Sequence, residues 1–161
     1  MRASTIQEIK SEFNSLKAPA LVELCLRLAK FKKENKELLT YLLFESSDET
    51  HFVKELKTEM QELFEGINKT NIYFAKKSLR KIVRLINKYS RYSGVKETEV
   101  ELRLHFCVLL RESGIPVYKN TLIKNIFESQ VKKCRAILET LHEDIQYDYL
   151  RLLNATIASI K

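Results

Sequence analysis

Histidines, cysteines and closely spaced carboxylates are the side chains in this sequence that could carry chemistry. The histidines are His51, His105 and His142. A metal site on a helix needs two ligands three or four residues apart, so that both project from one face. No second histidine or cysteine stands at that spacing from any of them. His105 and Cys107 are two residues apart and point nearly opposite ways on a helix. A nucleophilic cysteine needs a polar, accessible setting with a base beside it. Cys25, Cys107 and Cys134 each stand among apolar residues instead, and are expected to be buried, reduced thiols of a cytosolic protein. Glu55 with Glu59, and Glu59 with Glu62, are carboxylate pairs on a helix face expected to be exposed. Acid–base work favours burial that shifts a pKa, so these read as solvated acids. Di-iron bundles use Glu-x-x-His, and Glu101 to His105 is one residue too long. Three glycines leave no phosphate-binding loop, no dinucleotide fingerprint and no G-x-S-x-G elbow. The expectation is a protein without a catalytic residue, metal or cofactor, and not an enzyme.

Charge is the stronger signal. The chain has 28 basic and 21 acidic residues among 161. Nine of the basic ones fall between Gly66 and Lys96, a stretch of 31 residues without an acid. Outside it, 19 basic residues face 21 acidic, so the net charge there is −2. A local acidic partner is therefore conceivable. On a helical wheel, Ile72, Ala75, Leu79, Ile82, Val83, Ile86 and Tyr89 form one face. Lys76, Lys77, Arg80, Lys81, Arg84, Lys88 and Arg91 occupy an arc of about 140° opposite it, with Tyr73 inside the arc. The strip is about 22 Å long. Lysine and arginine there could neutralise phosphates, and a tyrosine among them could stack on a base. An acidic protein surface would suit the strip equally. Two plain explanations compete: a helix needs a polar outer face, and the preceding helix is acidic. Glu55, Glu59 and Glu62 could pair with one flank of the strip, though not with its whole arc.

The elements that must position these residues are helices. Gly66, Gly94 and Gly114 stand where helices would close through a left-handed residue. Pro19 suits a first turn. Ser4 with Gln7, Ser46 with Glu49 and Thr98 with Glu101 read as capping boxes. These signals predict eight helices, at about 4–16, 19–31, 34–45, 48–66, 71–91, 97–112, 119–140 and 143–160. No segment has sustained alternation, so no sheet is expected. Connections are short, which makes successive helices antiparallel neighbours. The third helix (Leu38, Leu39, Tyr41, Leu42, Leu43, Phe44) and the sixth (Val100, Leu102, Leu104, Phe106, Cys107, Val108) are apolar all round. Both are predicted at the centre.

Leu42-Leu43-Phe44-Glu45-Ser46 matches Leu109-Leu110-Arg111-Glu112-Ser113 at four of five positions, a hint of a repeated hairpin. Antiparallel helices in units of this size resemble the architecture of HEAT and tetratricopeptide α-solenoids. No repeat signature of either is present, and the chain has no tryptophan. The fold expected is all-α: one helical domain over residues 1–161, either a short α-solenoid or an orthogonal multi-helix bundle. No run approaches the about 20 apolar residues of a membrane span, and none precedes Glu8, so neither membrane insertion nor a signal peptide is expected. Leu152 to Ile160 is uncharged and follows Tyr147 and Tyr149. That end either docks on the core or forms a homodimer contact. The role expected is non-catalytic binding or scaffolding with an unnamed protein or acidic partner. The alternative is nucleic-acid binding through the basic face 76–91.

Overall fold

A computed structural model describes residues 2–160. Its α-helices are α1 (Ile6–Ser15), α2 (Ala18–Phe31), α3 (Lys33–Thr40), α4 (Glu49–Glu65), α5 (Ile72–Ser93), α6 (Lys96–Glu112), α7 (Thr121–Leu138) and α8 (Glu143–Ser159). A π-helical turn, Tyr41–Glu45, follows α3. There is no strand among the described residues, and among them no helix is long and apolar enough to cross a membrane. The chain gathers into two compact units, Met1–Phe44 and Glu45–Lys161.

In the first unit α2 packs on α3. Asn35 Nδ2 ties them by donating to the Leu28 carbonyl at 2.9 Å. Helices α1, α2 and α3 hold no fully buried side chain. Cys25 is exposed, so the expectation of three buried thiols fails at this position. Tyr41 is buried, but Leu42, Leu43 and Phe44 are exposed, which corrects the placing of the third helix at the centre. Apolar residues all round a helix mark a centre only where other helices surround it; the π turn spreads these side chains without that cover.

The second unit is ordered in two rows. Helices α4, α6 and α8 form one, with α6 packed on both others, and α5 on α7 forms the second. Each helix also packs on its chain neighbour. This is the neighbour order of a two-layer α-solenoid. Helix α6 is central as expected: Val100, Leu102, Leu104, Phe106, Cys107 and Leu110 are buried on it. Phe106 meets Phe64 of α4 edge to face at 5.4 Å. Val100 and Leu104 cluster with Cys134 and Leu138 of α7 and Leu153 of α8. Helix α8 therefore spends most of its apolar face on the core.

The helix boundaries follow the sequence closely, but the caps shift. Thr5, not Ser4, makes the first capping box: its hydroxyl accepts from Glu8 N–H, and Glu8 Oε2 accepts from Thr5 N–H at 2.6 Å. Asp48, not Ser46, caps α4 by accepting from His51 N–H at 2.9 Å, because the chain first turns through an Asp48 N–H bond to Glu45 O. Thr98 is no cap. Gly94, at φ 69°, turns the chain so sharply that α6 restarts at Lys96. Thr98 then lies in the first turn, where its hydroxyl donates to Glu49 Oε1 at 2.6 Å. Gly66 closes α4 at φ −76°, not left-handed, since the turn is made by Ile67 N–H donating to Phe64 O.

Candidate nucleic-acid interface

Helix α5 is 22 residues long and is built around one apolar row. Ala75, Leu79, Ile82 and Ile86 are buried on it. Asn71 caps its start, accepting from Tyr73 N–H at 3.0 Å and Phe74 N–H at 3.4 Å. With that row facing inward, the opposite face must face water. Lys77, Arg80, Lys81, Arg84 and Arg91 are exposed, and Lys76 and Lys88 half-buried. Lys76 Nζ lies 5.5 Å from the centre of the Tyr73 ring, and Lys88 Nζ 4.3 Å from that of Tyr89. Tyr73 is 60% exposed, so its ring is available to a ligand.

The acidic helix does not cover this face. Helix α4 turns Phe52, Leu56, Met60 and Phe64 inward, which leaves Glu55, Glu59, Glu62 and Glu65 exposed. Two of them have local partners: Glu55 is 4.0 Å from His51, and Glu65 accepts from Gln61 at 3.3 Å. Among the described residues no ion pair joins any of the four to Lys76, Lys77, Arg80, Lys81, Arg84 or Arg91, and none of these six cations has an ion pair elsewhere. Six like charges on one face repel one another, and a polyanion would relieve that repulsion.

Residues on α7, which the sequence did not single out as candidates, border this face. Arg80, Val83 and Arg84 of α5 line a groove with Leu122, Asn125, Ile126, Ser129 and Gln130 of α7. Its volume is about 450 Å³. Helical spacing places Lys133, also exposed, one turn beyond Ser129 on the same side of α7. Only the packing of α5 on α7 brings these residues together, so no local pattern in the sequence announces them.

Bonded to Gln130 of the groove lining is a buried cation that sequence reasoning missed. Arg103 of α6 is 3% exposed. Its guanidinium donates to Glu99 Oε1 at 2.8 and 2.5 Å, to Gln130 Oε1 at 2.6 Å and to Asn87 Oδ1 at 2.9 Å. These bonds join α5, α6 and α7 under the exposed strip. One signal was present: Gln130 interrupts the apolar row Ile123, Phe127, Cys134 and Leu138.

The chemistry-bearing residues do not converge. Cys107 and Cys134 are buried, and burial raises both thiols, Cys134 to about 12. They stay protonated and are poor nucleophiles. His51 and His142 are exposed, and His142 caps α8. Glu139 and His142 do have Glu-x-x-His spacing, but Glu139 ends α7 and His142 precedes α8, so no single helix carries them. His105 is half-buried and its Nε2 is buried without a hydrogen-bond partner. Burial, then the charge of Lys57, holds it below the ordinary histidine value of 6.5. Nearby, Glu101 takes an ion pair from Lys57 and a 3.5 Å hydrogen bond from Tyr149. Among the described residues no group of three or more histidine, cysteine or acidic side chains is placed to hold a metal ion. No family model, curated protein or solved structure matches this chain.

Proposed function

We propose that this chain is a non-catalytic binding protein whose ligand is nucleic acid, held at the basic face of α5. The observation that carries this reading is the set of six cations on that face without an ion-pair partner among the described residues. A face made polar only for solvation would be served by mixed charge, which costs less self-repulsion than one sign. Phosphates meet the strip along its length, and Tyr73 adds a ring suited to a base. A homodimer contact through α8 would have to be built on Tyr147 and Leu152, the large apolar side chains that helix leaves exposed.

Fluorescence anisotropy with generic DNA and RNA at two salt concentrations tests the reading. Micromolar binding is expected at 50 mM salt. If six cations engage phosphates, affinity should fall on the order of a thousandfold by 200 mM. Arg80→Glu combined with Arg84→Glu should abolish binding with an unchanged thermal melt. No binding at low salt removes the proposal, and binding retained by the double variant moves the site elsewhere. An acidic protein that binds where nucleic acid does not would point to the other partner class.

A further inference from the structure

We infer that the strand bound at this face is unpaired, with one base seated in the groove between α5 and α7 and another stacked on Tyr73. The inference rests on the nucleic-acid reading above and adds which form of nucleic acid the surface fits.

Tyr73, Arg80, Arg84 and Arg91 stand at positions i, i+7, i+11 and i+18 of α5, which at 100° per residue keeps them within about 20° of one line. The tyrosine thus heads a row of guanidinium groups. Arg80 lies about 10 Å and Arg84 about 16 Å along the axis from it. The ring is held by an edge-to-face contact with Phe74 at 5.5 Å and by the Lys76 ammonium over it.

The same two arginines form one wall of the groove. Its lining has two characters. Val83, Leu122 and Ile126 are apolar, and Leu122 is 45% exposed, a surface that water covers poorly. Asn125 and Ser129 offer donors and acceptors beside them. A planar base has this combination of apolar faces and polar edges, and phosphates on either side of it would meet Arg80 and Arg84. A duplex hides its base faces in the stack and presents phosphates and groove edges only. It would use the arginines but leave the apolar wall and the tyrosine ring without a partner. The surface therefore complements a strand whose bases are splayed.

Equilibrium anisotropy with a single strand of about 12 thymidines, a duplex of equal length and heparin separates the terms. Heparin carries charge without bases. The single strand should bind at least about tenfold tighter than the duplex. Tyr73→Ala removes the stacking ring, and Ser129→Leu fills the groove without changing charge; both positions are exposed. Each should weaken the single strand about tenfold and leave heparin within about twofold. Thermal melts of both variants should match the native protein. Duplex binding as tight as single-strand binding, variants without effect on the single strand, or an equal loss for heparin each overturn the inference. In those cases nucleic-acid binding itself survives. Failure of every nucleic acid to bind at low salt removes both readings.

Discussion

On α6 the guanidinium of Arg103 is enclosed, and its hydrogen bonds reach Glu99, Asn87 and Gln130. On α5, Arg80 and Arg84 stand in solvent above it with no ion pair among the described residues. The side chains are chemically identical and the helices adjacent. What separates them is whether the rest of the chain supplies acceptors. Around Arg103 three helices converge and each contributes one. A buried charge can persist only with such partners. Toward Arg80 and Arg84 the groove turns Asn125, Ser129, Gln130 and an apolar wall, and no carboxylate lines it. The cations of the proposed interaction surface are therefore the ones the fold leaves unanswered, rather than cations as such.

The largest test of that contrast is Arg103→Met. It leaves Glu99, Asn87 and Gln130 without their shared donor. Urea denaturation should show a loss of about 3–5 kcal/mol. Arg103→Lys should recover little, since an ammonium cannot fork to three acceptors as a guanidinium does. A neutral Arg103→Met would mean the enclosed arginine does not hold the helices, and the contrast would collapse.

His105 lies between the two extremes, and its effect should be smaller. Its Nε2 is buried without a partner, and its surroundings are Lys57, Glu101 and Glu112. Burial and Lys57 disfavour its protonation in the folded state, while the two glutamates and the Lys57 main chain pull the other way less strongly. The unfolded chain then binds the proton more readily, so stability is lost as pH falls through the unfolded value of 6.5. The urea midpoint of the native protein should drop between pH 7.5 and 5.5 relative to that of His105→Leu. Parallel curves for the two proteins would refute this.

The smallest expected effect is on the exposed side. Arg84→Ala should change stability by less than about 0.5 kcal/mol, because no ion-pair partner among the described residues loses a bond. A cost above about 1 kcal/mol would show that the strip is used internally after all.

The helices were legible because their punctuation is local. Gly94, Gly114, Pro19 and the apolar row of α5 can be read within a few residues; Ala75, Leu79, Ile82 and Ile86 are buried where the wheel puts them, while Ile72, assigned to the same face, is exposed. The caps moved because competing choices are also local: Ser4 and Thr5 are both good caps, and only the chain geometry selects Thr5. Leu42 to Phe44 misled because a run of apolar residues records a need for cover and not its presence. The groove was illegible for a different reason. Arg80 and Ser129 are 49 positions apart, and nothing short of helix packing sets them side by side. Likewise Arg103 and Arg80 are the same letter, separated only by what surrounds them.

The two-row order of the second unit also bears on how quickly it can form. Its main packings join helices that are adjacent or one apart along the chain. Loop closure for such contacts is short, so little chain entropy is lost before each one forms. Helical domains with this locality fold in microseconds to milliseconds. During synthesis, α4, α5 and α6 could pair before α8 has been made. The acceptors of Arg103 would arrive in sequence, Asn87 and Glu99 first and Gln130 last, so the enclosed cation would act as a late latch that closes once α7 has docked.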